Sequence, residues 1–211
     1  MPGRQLDDTV ARRRDAALAG HTGDENTARS FLSDDDANVR ATALGALNRL
    51  GALTEDELIR ATKDGDPIMR RRACTESTSW NGSVDEPTTA EVAAAIAALL
   101  SDSDDSVVEI AAWACGERPP ASSSTIERLC VIATRHDDAL CRESAVAALG
   151  ALGDPAGLGA ILSATEDKAT VRRRAVIALA PFDGPEVDAA LERATNDRDW
   201  QVRQAAEDLS P

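Results

Sequence analysis

The stretch DDALCRESAVAALGALG, residues 137–153, can be laid over DDANVRATALGALNRLG at 35–51 almost position for position. Each begins with acidic residues, then one apolar residue, an arginine, two variable positions and an alanine. GDPIMRRRACTES at 65–77 and DKATVRRRAVIALA at 167–180 keep the same order. The apolar anchors fall at Val10, Val39, Met69, Val108, Cys141, Val171 and Val202, with Val10 opening a degenerate first copy. Their spacings are 29, 30, 39, 33, 30 and 31 residues. A period near 30 marks an architecture of repeats, each burying its apolar face against its neighbours.

Within a copy the apolar positions have helical spacing: Val39, Ala43, Ala46, Leu47 and Leu50 make one stripe. A second amphipathic stretch precedes each copy, as in TEDELIRAT (54–62), TTAEVAAAIAALL (88–100) and STIERLCVIAT (124–134). Thr54 with Glu57, Thr88 with Glu91 and Ser124 with Glu127 each predict a capping box at its start. Pro155 and Pro185 sit where a first helical residue is expected in two further copies. The unit is therefore helix A, a short turn, then helix B. An alanine four after the anchor (Ala43, Ala73, Ala112, Ala145, Ala175, Ala206) lets helix B pack closely.

The D-x-x-V-R-x-x-A-x-x-A-L pattern of helix B resembles the short HEAT-like repeat of the phycobilisome-lyase group, over residues 5–209. The resemblance implies an all-α fold, a right-handed α-solenoid of six to seven helix-turn-helix repeats with the B helices lining its concave side. A single domain over 1–211 is expected, with a degenerate N-terminal cap at 1–22 and a loop insertion at about 77–87.

Three arginine triplets stand out in a chain whose net charge is −14. Counting the anchor as position 0, Arg40, Arg70, Arg142, Arg172 and Arg203 occupy position +1. Asp36, Asp66, Asp105, Asp138 and Asp199 stand three before it, placed to cap helix B. The two rows predict a structural ladder, each arginine bonding an aspartate of a neighbouring repeat. Glu109 is expected to interrupt the arginine row and Lys168 the aspartate row. In the first triplet Arg12 is read at +2 and Arg14 at the core alanine position. Positions +2, +6 and +9 are expected to face the concavity.

Composition narrows the function. Aromatics are 2% of the chain and the pI is near 4.5, which disfavours base stacking and phosphate-backbone binding alike. The start, MPGRQLDDTVARRR, lacks the apolar core of a signal peptide, and the longest apolar run, VAAAIAALL, is too short to cross a bilayer. Cys74, Cys115, Cys130 and Cys141 lack a C-x-x-C spacing and read as reduced thiols of a cytoplasmic protein. His21 and His136 lie in no metal-binding spacing, and no phosphate loop or nucleophile elbow is present. Without a His-Glu dipeptide the chain does not match HEAT-like hydroxylases, nothing identifies a bilin-lyase chromophore site, and its charge opposes a DNA glycosylase. No cofactor or metal is expected.

The expected function is a non-catalytic scaffold or adaptor holding a protein or peptide on its helix-B face, or otherwise an accessory subunit of a separate enzyme. Arg71, Trp113, Glu143 and Arg173 project from successive B helices and form the candidate patch. Trp80, in the insertion STSWNGSVDEP, is read either as a binding residue or as a hydrophobic plug. Trp113 is placed at +5, beside the row Leu44, Val146 and Val176, and Trp200 as a C-terminal packing cap.

Overall fold

The structure, a computed structural model, describes residues 2–82 and 89–209, with side chains from Asp8 onward. All regular structure among them is helical. The α-helices are α1 (Pro2–Thr22), α2 (Glu25–Ser30), α3 (Ala37–Arg49), α4 (Glu55–Ala61), α5 (Pro67–Ser79), α6 (Ala90–Ala98), α7 (Asp105–Glu117), α8 (Ser123–Arg135), α9 (Ala139–Leu152), α10 (Leu158–Ala164), α11 (Ala169–Ala178), α12 (Pro185–Ala194) and α13 (Trp200–Leu209). Odd-numbered helices are the B helices of the repeat and even-numbered ones the A helices. The chain divides into two compact units, Met1–Leu99 and Leu100–Pro211.

In the first unit α3 packs between α1 and α5, while α2 and α4 cover the other side and α6 lies against α4 and α5. In the second, α7, α9, α11 and α13 pack in succession, and α8, α10 and α12 lie against them. Each unit thus has a layer of B helices backed by a layer of A helices, the arrangement of helical-hairpin repeats in an α-solenoid. Between the layers sit fully buried Leu44, Leu47 and Leu58 in the first unit, and Leu129, Ile132, Leu149 and Ile161 in the second.

Helix starts follow side-chain chemistry. Asp36, Asp66 and Asp138 accept from the backbone N–H groups of Asn38, Ile68 and Leu140, and Asp199 from Gln201. Thr54 and Glu57 form the expected capping box. Elsewhere the cap shifts: Thr89 caps α6 through Val92 and Ser122 caps α8 through Thr125, because these hydroxyls stand at the turn into each helix. Thr88 lies outside the described residues. So do residues 83–87 of the expected insertion, whose beginning, Ser77 to Ser79, continues α5.

Successive B helices touch through small residues. A Cβ built on Gly116 would lie 2.8 Å from the Ala148 Cα, and one on Gly150 2.7 Å from the Ala178 Cα. Gly20 faces Ala46 in the same way, at 2.8 Å. Between α3 and α5 the small pair is replaced by a polar one: Asn48 Nδ2 donates to Glu76 Oε2 at 2.6 Å, and Glu76 is buried. Asn48 and Gly150 stand at position +9, which therefore packs on the next repeat instead of facing the concavity as expected.

Candidate functional site

The arginine row is tied into the turns. Arg40 donates from Nε and Nη2 to both oxygens of Asp64, at 3.0 and 2.8 Å. Arg142 does the same to Asp167 at 2.6 and 2.9 Å, and Arg172 to Asp197 at 2.9 and 2.7 Å. A remaining nitrogen, Nη1, donates to a carbonyl of the turn before its own helix: Asp34 from Arg40, Asp64 from Arg70, His136 from Arg142, Asp167 from Arg172, Asp197 from Arg203. The acceptor carboxylate is thus not the capping aspartate. Asp66 and Asp199 each turn Oδ1 onto one N–H of the helix start, that of Ile68 and of Gln201, while the aspartate ahead of each takes the arginine of the preceding B helix.

That leading carboxylate also shapes its turn. Asp34, Asp64 and Asp197 accept the backbone N–H of Asp36, Asp66 and Asp199 at 2.8–2.9 Å. Asp64 is held below the usual carboxylate range although burial pushes it up; the Arg40 fork and the Asp66 N–H outweigh that cost. Asp167 and Asp197 are lowered chiefly by their bonds to Arg142 and Arg172.

Two registers differ from expectation. Arg12 donates to Asp34 at 2.8 Å from Nε, so Arg12 is itself the ladder member of the first copy and Val10 is 67% exposed. The ladder register puts position 0 one residue later, at Ala11, itself exposed, so that exposed Asp15 and not Arg14 stands where the core alanine falls in other copies. In the fourth copy Asp104, not Asp105, caps α7 through Ser106. The anchor is therefore Val107, position +1 is Val108, and the small residue is Ala111. Val108, not Glu109, interrupts the arginine row. The acceptor for that place in the next repeat is correspondingly a histidine: His136 Nδ1 accepts from the Asp138 N–H at 3.1 Å. Lys168 makes no side-chain cap, and Asp167 beside it takes the turn N–H at 2.6 Å.

The candidate patch residues lie on the outer rows of the B helices. In the first unit Arg71 is exposed on α5 and makes no side-chain ion pair among the described residues. In the second unit Arg173 on α11 is exposed. Glu143 on α9 lies 3.5 Å from Arg174 Nη2 in an ion pair. Trp113 is half-buried on α7, at +6 in the corrected register, while Ala112 takes the buried place beside Val146 and Val176. Of the two readings of Trp80, burial favours the plug: it is 5% exposed at the end of α5 and its indole Nε1–H donates to the Leu53 carbonyl at 2.8 Å. Trp200 does not close the core; as the first residue of α13 it is 65% exposed.

Reactive groups are scarce on this framework. Cys74, Cys115 and Cys141 are buried, and burial pushes the Cys115 thiol up to about 12. Burial, with Asp138, Asp105 and Glu109 nearby, pushes Cys141 up to about 12 as well. Among the described residues no group of three or more His, Cys, Asp or Glu side chains could hold a metal ion. No described helix is long and apolar enough to cross a membrane.

Residues 126–210 match the family of HEAT repeats. Over the whole chain the likeness is one of fold. An engineered protein of known crystal structure shares 19% identity, covers 88% of this chain and 96% of its own, and superposes with a TM-score of 0.64. A designed armadillo repeat protein, solved in complex with the peptide (KR)4, shares 15% identity over 86% of this chain and 96% of its own, with a TM-score of 0.61. The E. coli protein YibA shares 16% identity over 88% of this chain and 72% of its own, with a TM-score of 0.60. No curated protein matches the chain.

Proposed function

We propose that the protein is a non-catalytic scaffold or adaptor that receives a protein or peptide partner on the exposed rows of its B helices. The candidate contacts are Arg71 on the row of the first unit and Trp113, Glu143 and Arg173 on the row of the second, each row taken by itself. The observation carrying this reading is a division of labour among the arginines. Position +1 is spent on turn carboxylates and carbonyls, whereas Arg71 and Arg173, one residue on, are exposed and outside the ladder. An exposed guanidinium presents a planar donor fork that suits carboxylates of a partner. Repeat helices in a row offer such groups at regular intervals over an extended surface. The designed armadillo protein above holds an alternating basic peptide; here the rows are arginine-bearing, and the complementary partner is acidic. Four cysteines without disulfides suit a cytoplasmic setting.

The test is capture of partners by the tagged full chain, read by mass spectrometry, with the wild type beside an Arg71→Glu/Arg173→Glu variant. Both residues are exposed, so thermal melting should be unchanged while the captured partner is lost. Undiminished capture by the variant retires this face.

A further inference from the structure

The first unit carries a cavity of about 430 Å3 on its B-helix face, lined by Arg13, Arg14, Arg49, Arg72, His21 and Val10 among others. Among the described residues no acidic side chain lines it. Its arginines differ from those of the ladder on the same helices. Arg12 and Arg40 are held by Asp34 and Asp64, but Arg13 has, among the described residues, only the Thr42 hydroxyl, at 3.3 Å. Arg14 is 3.9 Å from Asp15, with both side chains largely in solvent. Arg49, the last residue of α3, has no ion pair among the described residues. Arg72 alone has a close carboxylate, Glu76 at 2.5 Å, which Asn48 also engages.

The guanidinium groups are given room by glycines. A Cβ at Gly45 would overlap the Arg72 guanidinium, so the absent side chain is what allows Arg72 to lie across α3. A Cβ at Gly20 would come within 3.1 Å of Arg49 Nη1. Clustered like charges repel one another, and little within this cavity offsets that repulsion. In a chain of net charge −14 it is a local reversal of sign.

We infer that this cavity is a second docking site, apart from the Arg71 and Arg173 rows, for an acidic peptide segment of a partner protein, an inference that rests on the scaffold reading above. The lining residues lie on α1, α3 and α5, where backbone N–H groups are engaged in helix bonds; the donors on offer are side-chain forks, not the backbone nest that cradles phosphate. Adjacent packed helices stand about 8–10 Å apart. An extended peptide rises about 3.3 Å per residue, so carboxylates two or three residues apart span roughly that interval. Val10, exposed at the cavity's edge, adds an apolar contact.

The experiment measures anisotropy of a fluorescein-labelled alternating Asp-Glu octapeptide with the full chain, beside a Lys-Arg octapeptide and with inorganic phosphate as competitor. The acidic peptide should bind and the basic one should not. Arg14→Glu/Arg49→Glu, at positions that touch no core, should weaken binding about tenfold or more. Gly45→Ala, which displaces Arg72, should weaken it several-fold, and Arg71→Glu/Arg173→Glu should leave it within about twofold. The site is overturned if the acidic peptide fails to bind, if Arg14→Glu/Arg49→Glu binds it undiminished, or if phosphate at the peptide's own concentration displaces it, the mark of a small-anion site. Failure of peptide binding with partner capture still sensitive to Arg71→Glu/Arg173→Glu overturns this pocket alone, whereas failure of both removes the scaffold reading with it.

Discussion

At Asp167 one carboxylate takes the Arg142 fork at 2.6 and 2.9 Å and the Lys168 backbone N–H at 2.6 Å. Asp167→Asn keeps the shape but removes the charge from both bonds. It should cost about 1–2 kcal/mol, measured by urea denaturation, since both partners are largely shielded from water. An unchanged midpoint would show that the rung contributes geometry alone. Gly150 tests packing at the same scale. Alanine there gains about 1 kcal/mol of helix propensity. Against that, its Cβ would meet the Ala178 Cα at 2.7 Å and the Ala178 carbonyl oxygen at 3.1 Å, atoms of a backbone that cannot turn aside. Overpacking wins, and Gly150→Ala should lower stability by about 1–2 kcal/mol; a rise in melting temperature would mean that α9 and α11 separate freely. The arginine row was legible in the sequence because one residue type recurs at one spacing. Its acceptor was not. Both aspartates of a D-x-D turn recur, and only the fold shows which one faces the preceding helix.

Among the elements, α11 begins without a side-chain cap because Lys168 stands where Asp36, Asp66 and Asp138 cap their helices. A lysine at that end also opposes the helix dipole. Lys168→Asp should therefore stabilise the protein by about 0.5–1 kcal/mol, seen as a higher melting temperature. A fall would mean that the lysine's charge matters more to Asp167 than the vacant cap. Helix pairs can be read from apolar spacing, yet that spacing puts α1 and α7 each one residue away from their true register. In α7 two valines are adjacent and both are buried, so periodicity alone could not choose the anchor; the cap, Asp104, decides it. In α1 the signal lay in Arg12, which needed its partner Asp34 to be recognised. Trp80 was ambiguous because a tryptophan after a helix serves equally as plug or contact until its N–H is traced, here to Leu53.

For the molecule as a whole, the leading aspartates set the response to acid. Asp34, Asp64, Asp167 and Asp197 are all held below the ordinary carboxylate range in the folded state. In the window between folded and unfolded values the unfolded chain binds more protons, so stability rises with pH there. The contribution is complete above the unfolded carboxylate value, about pH 4, and is lost as pH falls through the depressed folded values. Relief of repulsion in a chain of charge −14 acts in the opposite sense. The comparison that isolates the rung is therefore between wild type and Asp167→Asn: the gap in melting temperature should be widest near neutrality and close on acidification below about pH 4. A gap independent of pH would detach the rung from proton binding. The repeat period and the helical class were legible at this scale, but the cavity of the first unit was not. It gathers Arg13, Arg14, Arg49 and Arg72 from three helices far apart in the chain, and Gly45 enters it only by lacking a side chain. Finally, a rung joins residues 22 to 25 apart, as in Arg12–Asp34, Arg40–Asp64 and Arg142–Asp167. A cassette cut anywhere between such an arginine and the aspartate it bonds carries one half of a rung at each border. Tandem copies of the cassette would reconnect those halves at every splice, so the bond that binds neighbours also makes the motif suited to growth by duplication.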